Sequence, residues 1–319
     1  MIFILSAILS ETRAYFESVI FLFFVGGNWN KRNRMPSPKI SVLMPVWNGE
    51  RFLAEAVESI LAQTFADFEL IAVDGGSTDR TLEILVGYRD PRIRIFQAPP
   101  GIVPALNFGI ARARGNWIAR HDADDISLPQ RLALQWAAIN RKPDVVLCHT
   151  DVALTGENIE AIGRARFPRS QAFLALKLCY QCPIVHGSVL FKKEAVLAVG
   201  GYQGQQAEDY GLWGRLIENG RVIGIPKKLV RFRIHEVSAS KRHREVMTAA
   251  AEKIAIEHCR RFMNLSNEDA RRAHGVLVAH GKCRWPEWSW FLRHCTPRLR
   301  WKSAETYAWL GWQTLKTLF

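Results

Sequence analysis

Carboxylates gather at three places in this chain: Asp74, the run Asp122-Ala123-Asp124-Asp125, and the pair Glu208-Asp209. The first two each follow a short apolar segment, 68–73 and 117–120, and each precedes turn residues and a helical pattern. That order puts both at strand C-termini, where open α/β sheets bind ligands. Oxygen ligands in such a crevice suit a hard cation, Mg²⁺ or Mn²⁺. Three adjacent carboxylates also repel one another, which favours a cation nearby. The competing role for Asp122, Asp124 and Asp125, Asx turns and a helix cap before Pro129, leaves that repulsion unanswered.

The elements that must position these groups alternate from residue 40 to about 150, as in a mostly parallel sheet covered on both faces. Strands are expected over 40–44, 68–73, 93–96, 117–120 and 145–149. Between the first two, Phe52, Leu53, Ala56, Val57, Ile60 and Leu61 recur at helical spacing. Asp79 or Ser77 should cap the next helix, and Pro129 should open another at its first turn. After Thr150 the pattern is irregular, with a helix expected over 171–179, a strand over 188–191 and a helix from Glu208. This mixed half, 151–240, would supply a substrate wall beside the nucleotide-binding half, 35–150.

The two ends differ from this middle. Residues 1–34 hold apolar runs interrupted by Glu11, Arg13 and Glu17, shorter than the roughly 18–20 residues that span a bilayer. Met35 is read as the true initiator; the rival reading is an interfacial anchor with Lys31, Arg32 and Arg34 on the cytoplasmic side. Residues 241–319 carry a long helical pattern over 244–263 and then Trp285, Trp288, Trp290, Trp301, Trp309 and Trp312 among arginines and lysines. Such a region suits a bilayer headgroup layer or a helical appendage packing its Trp residues on the domain.

A net charge of +13 and a pI of about 9.7 invite nucleic acid or an anionic membrane surface as partner. No nucleic-acid module is legible, so the membrane surface is the expected partner. Six scattered cysteines without a secretory signal argue for reduced thiols. Cys179-Tyr180-Gln181-Cys182 has redox spacing, but no second ligand pair accompanies it.

The segments Ser41-Val42-Leu43-Met44-Pro45-Val46-Trp47-Asn48-Gly49-Glu50 and Val73-Asp74-Gly75-Gly76-Ser77-Thr78-Asp79 resemble the opening of family 2 glycosyltransferases of the GT-A fold. His121-Asp122-Ala123-Asp124-Asp125 is similar to their DxD metal motif. His186-Gly187-Ser188-Val189 and Glu208-Asp209-Tyr210-Gly211-Leu212-Trp213 are similar to their acceptor-side and catalytic motifs. The resemblance covers about 40–240 and rests on five motifs in one order. It implies an α/β GT-A fold with a helical, Trp-rich C-terminal appendage. The implied activity is inverting, metal-dependent transfer of a sugar from a nucleotide-diphosphate donor to a glycan or lipid-linked acceptor, as in cell-surface polysaccharide synthesis at the inner face of the cytoplasmic membrane.

Residue by residue, the resemblance implies donor contacts from Pro45, Trp47, Asn48, Glu50, Asp74 and Asp122, with Asp124 as direct ligand of Mn²⁺ or Mg²⁺. Trp47 is expected to stack on the base, its rival role being a packed aromatic. Asp209 matches the base that must take the acceptor hydroxyl's proton, and Glu208 is a loop or acceptor contact or an acid favoured by the helix dipole. His235 is expected near the metal or diphosphate and Arg233 near phosphate charge; the alternative is a strand with basic residues facing water. His186 lines the acceptor pocket or sits satisfied in the core. The family often carries a second acid where this chain has Gly75, so the nucleotide base is not legible. Rival classes are a degenerate sugar-nucleotide or glycan-binding scaffold and a nucleotidyltransferase; the latter wants a Gly-rich basic loop after the first strand, which 45–50 is not.

Overall fold

The computed structural model describes residues 37–235, 244–279, 283–300 and 302–318. The N-terminal extension, Met35 and Trp301 therefore lie outside the described residues. β1 (Ile40–Val46) and β2 (Phe68–Asp74) are buried at every position, as unbroken apolar runs become when helices cover both faces of a parallel sheet. β1 pairs in parallel with β2 on one side and β4 (Trp117–Arg120) on the other, and β3 (Ile93–Gln97) extends the sheet beyond β2. The chain thus runs outward one way from β1 and resumes on its other flank. The point of reversal, between the C-terminal ends of β1 and β4, is where such sheets open a crevice.

Helix α1 (Leu53–Leu61) buries Leu53, Ala56, Val57 and Ile60, one apolar stripe at helical spacing. α2 (Thr81–Gly87) and α3 (Ile102–Arg112) follow β2 and β3. Asp79 accepts the Thr81 N–H at 3.0 Å, but Arg80 occupies the cap position of α2, so the acid sits one residue before the expected cap. α4 spans Arg131–Ile139, so Pro129 stands in the turn before it; there its carbonyl accepts the Thr64 N–H, and the helix starts two residues later than expected.

Beyond β4 the sheet continues through β8 (Leu190–Lys192), β6 (Val145–Thr155), β9 (Arg221–Arg233) and β5 (Ile126–Ser127), with β7 (Ala161–Ala165) on β6. β8 is antiparallel to both neighbours, whereas β6 and β9 run parallel. The segment expected as a strand over 188–191 begins as a 3-10 turn, His186–Ser188, because the Val185 carbonyl accepts both the Ser188 N–H and its hydroxyl. α5 (Gln171–Leu178), α6 (Lys193–Ala198) and α7 (Glu208–Asn219) cover this half.

The C-terminal helices are α8 (Arg244–Met263), α9 (Asn267–Val278), α10 (Trp285–His294) and α11 (Ala304–Leu318). Their Cys259, Phe262, Leu277, Trp288 and Phe291 share one apolar core with Leu176, Tyr210 and Trp213 of α5 and α7. Burying each such side chain contributes about 1.5–3 kcal/mol. His258 and His274 also reach the end of α5, meeting the carbonyls of Leu178 and Cys179 at 2.9 Å each.

Candidate active site

Because β1, β2 and β4 are in parallel register, the loops leaving them emerge on one rim. The first two loops are stitched together. Asn48 N–H donates to Ser77 Oγ (2.9 Å), Thr78 N–H to Asn48 Oδ1 (2.8 Å), Glu50 N–H to Asp79 Oδ2 (3.0 Å) and Arg80 N–H to Glu50 Oε2 (3.0 Å). Asn48 adopts a positive φ of 50°, which Asn tolerates better than most residues. Asp74 is fully buried, and its carboxylate accepts the N–H groups of Gly76 and Ser77. Asn48, Glu50 and Asp74 therefore hold the rim in shape, while Pro45 lies buried inside β1 opposite Val73. Trp47 projects from the rim 59% exposed, so it is an available aromatic face and not a packed core residue.

The acids after β4 are each met by a different partner. Asp122 Oδ1 lies 2.6 Å from Nη1 of the buried Arg120, and Asp124 Oδ2 lies 2.8 Å from His235 Nε2. Asp125 accepts the Arg233 N–H at 2.9 Å through Oδ1, while its buried Oδ2 has no hydrogen-bond partner among the described residues. Burial first, and then the Asp122 and Asp124 charges, push the Asp125 carboxyl well above the usual carboxylate range. Burial raises Asp122 as well, against the pull of Arg120. Gly187 closes over this cluster. A Cβ there would stand 2.7 Å from Asp122 Oδ2 and 2.9 Å from Asp125 Oδ2.

Beneath the cluster, buried Arg131 donates to the Arg120 and Val189 carbonyls (2.7 and 3.1 Å) and to Ser127 Oγ (2.8 Å), tying α4 to the end of β4. Arg233 is turned away from solvent. Its guanidinium meets Glu55 at 2.7 Å, donates to the Glu157 carbonyl at 2.9 Å and lies over the Phe52 ring. It anchors the strand end that delivers His235.

No three metal-ligating side chains converge among the described residues. What the site does offer is the partly exposed Asp124 carboxylate touching an imidazole. That fits a Mg²⁺ or Mn²⁺ ion that takes one or two protein ligands and fills its shell with phosphate and water oxygens.

The other acid pair opens α7, entered through Ala207 in the left-handed region at φ 54°. Asp209 Oδ1 accepts the N–H of Tyr210 at 2.7 Å, and Oδ2 lies 3.9 Å from the Cys182 thiol. Burial, then the neighbouring Glu208 charge, lifts the Asp209 carboxyl to about 7. Burial raises Glu208 too, and its Oε1 sits 3.8 Å from His186 Nδ1. The opposite nitrogen of His186 shares a 2.7 Å hydrogen bond with the Tyr202 hydroxyl. Burial, aided by the Arg120 charge, holds His186 neutral.

Arg120 is the residue that sequence reading missed. Its buried charge favours ionisation of Asp122 directly and acts on Glu208 and Asp209 across the cleft. The available signal was a cation ending an otherwise apolar strand. The Cys179–Cys182 pair is divided between environments: Cys179 is buried, and Cys182 is exposed beside Asp209. Among the Trp residues, Trp288 is fully buried and Trp309 stacks on Tyr180, whereas Trp285 and Trp312 are 45% and 57% exposed.

Comparison with known proteins identifies the family and the fold. Residues 41–197 match the family described as glycosyl transferase family 2. The O-antigen biosynthesis glycosyltransferase WbnJ of Escherichia coli is 33% identical over 213 residues, 63% of this chain and 82% of that protein. A putative glycosyltransferase, EpsE of Bacillus subtilis, is 33% identical over 192 residues, 57% and 68% of the two chains. Among solved structures, S. aureus TarS 1-349 in complex with UDP-GlcNAc superposes with a TM-score of 0.58 at 16% identity over 88% of each chain. The mannosyltransferase PcManGT of Pyrobaculum calidifontis, in complex with GDP-Man and Mn²⁺, superposes at 0.53 with 16% identity over 98% and 97%. The chain belongs to glycosyl transferase family 2 and is a glycosyltransferase of the GT-A fold.

Proposed function

We propose that this enzyme transfers a sugar from a nucleoside-diphosphate donor to a hydroxyl of a glycan or lipid-linked acceptor, with inversion at the anomeric carbon, in cell-surface polysaccharide synthesis. The observation that carries the reading is Asp209 at the start of α7, with Oδ1 fixed by the Tyr210 N–H and a carboxyl that burial and the Glu208 charge push up to about 7. A general base works best with a pKa near the working pH. Oδ2 of Asp209 takes the acceptor O–H proton as that oxygen bonds to the anomeric carbon; the bond from that carbon to the diphosphate oxygen breaks, and the nucleoside diphosphate leaves. With a single base, direct attack inverts the centre.

Trp47 stacks on the nucleoside base at the rim, and Asp122, fixed by Arg120, lies beside the ribose. Asp124 and His235 would hold Mn²⁺ or Mg²⁺, which supplies Lewis-acid neutralisation of the leaving diphosphate. The solved complexes of TarS with UDP-GlcNAc and of PcManGT with GDP-Man and Mn²⁺ support this reading by analogy. No described helix is long and apolar enough to cross a membrane. The exposed Trp285 and Trp312, the latter with the Lys316 ammonium 5.3 Å from its ring, support peripheral contact with an anionic membrane surface at the cytoplasmic face.

The test is thermal stabilisation by UDP, GDP, dTDP and CDP, each with and without Mn²⁺. A ligand at 100 times its dissociation constant adds about 2.7 kcal/mol. A Mn²⁺-dependent shift with one nucleotide is expected, and it names the donor class. A cooperative melt that no nucleotide moves overturns the donor assignment in favour of a degenerate scaffold.

A further inference from the structure

A second cavity, of about 570 Å³, opens between β7, the middle of β9 and the turn 128–130. Four cationic side chains line it: Arg164, Arg166, Lys227 and Lys228. A fault in the sheet creates this lining. The β6·β9 ladder jumps from Thr150 opposite Ile225 to Asp151 opposite Lys228, so Pro226 and Lys227 have no partner on β6. Such bulges re-aim side chains, and this one brings the two lysines to the cavity that Arg164 reaches from β7 and Arg166 from just past its end.

The charges are not balanced from within. Asp151, the one acid in the lining, already accepts the Phe167 N–H at 3.1 Å and meets Arg169 at 3.3 Å. Among the described residues, none of the four cations has an ion-pair partner. Like charges converging on one concavity repel, and an anion seated among them removes that cost. Arg forks match phosphate oxygens, and Leu128 and Leu229 give the cavity an apolar wall. From Lys228 to Arg233, β9 runs on for roughly 17 Å at ~3.3 Å per residue, so the cavity is separate from the Asp124–His235 crevice.

We propose that this cavity binds a phosphate-bearing anion through Arg164, Arg166, Lys227 and Lys228, at a site distinct from the donor crevice. The experiment titrates inorganic pyrophosphate into the full chain by calorimetry, with EDTA present to suppress metal-dependent binding in the crevice. The double variant Arg164→Ser/Lys228→Ser is compared with a charge-matched control, Arg89→Ser/Arg141→Ser. The expected result is binding by wild type and control, weakened at least tenfold in the cavity variant, with the Mn²⁺-dependent nucleotide shift unchanged in all three. Vesicles with and without phosphatidylglycerol then identify the source. Sedimentation lost only in the cavity variant makes the ligand a lipid headgroup, whereas equal sedimentation of all three makes it a soluble phosphate. Equal weakening by the two double variants, or no pyrophosphate binding and no cavity-dependent sedimentation by wild type, overturns the proposal.

Discussion

The two acid groups of the cleft are built on opposite plans. After β4, Asp122 faces the guanidinium of Arg120 two residues back, while Asp124 faces an imidazole just beyond the end of β9 and Asp125 a backbone N–H at that end. At the start of α7, Asp209 has, among the described residues, only the N–H of its neighbour and a thiol, with Glu208 beside it. Groups that hold a charged ligand need fixed orientation, and their partners provide it. Burial raises Asp122 and Asp125 as well as Asp209, so what sets Asp209 apart is that, among the described residues, no cation is paired with its carboxylate. On the proposed mechanism the same residue type serves two tasks, set by what surrounds it.

The sharpest way to break this contrast is at Asp209. Asp209→Asn should lower kcat by about 10²–10⁴-fold with donor affinity unchanged. The rate of the wild type should rise with pH through an apparent pKa of about 7; a pH-independent rate between 5 and 8 would sink the assignment of the base. Stability should move the other way. The folded-state pKa lies above the unfolded one, so the native protein holds an extra proton between about pH 4 and pH 7 and loses stability as pH rises through that window. The Asn variant lacks this cost and should melt higher than wild type at pH 8, by about 1–3 kcal/mol, the gap closing toward pH 4.

On the binding side, removing a partner should do the damage. Arg120→Met strands Asp122 and should cost about 3–5 kcal/mol, read as a lower melting temperature. Arg120→Met/Asp122→Asn should recover most of that stability without recovering activity. If the double variant melts no higher than the single, the pair is not the source of the loss. Gly187→Ala is a milder intrusion. Its Cβ would have to displace the Asp122 and Asp125 carboxylates, at about 1–3 kcal/mol and with weaker Mn²⁺-dependent nucleotide binding. Unchanged binding would place those carboxylates outside the donor site.

Much of this was legible in the sequence, unevenly. The parallel strands were readable because buried runs such as Phe68–Asp74 are continuous and end in Gly-rich turns. Asp124 and Asp209 were singled out through the family resemblance of 121–125 and 208–213, segments that the fold puts just after a strand and at a helix start. β9 was not, since RVIGIPKKLVRFR mixes proline and exposed cations into a strand that is half at the surface and bulged. Nor was the role of Arg120, because a counter-ion across a cleft depends on which loops the fold brings together. The Trp-rich end was ambiguous for a related reason. Burial of Trp288 and exposure of Trp312 depend on helix packing, not on residue type.

That last pair of environments frames the smallest expected effect, at Trp47. The ring is 59% exposed, so its truncation creates no cavity, and Trp47→Ala should leave the melting temperature of the free enzyme within about 0.5 kcal/mol of wild type. Trp288→Ala, in the core, should cost about 3–5 kcal/mol. If Trp47 stacks on the nucleoside base, the loss of about 0.5–1.5 kcal/mol of aromatic contact should raise donor KM up to about tenfold while kcat holds. Trp47→Phe should restore most of it. A Trp47→Ala enzyme with wild-type donor KM would mean that the exposed ring serves another ligand, and the base would then have to be recognised from the rim formed by Asp74 and its loop.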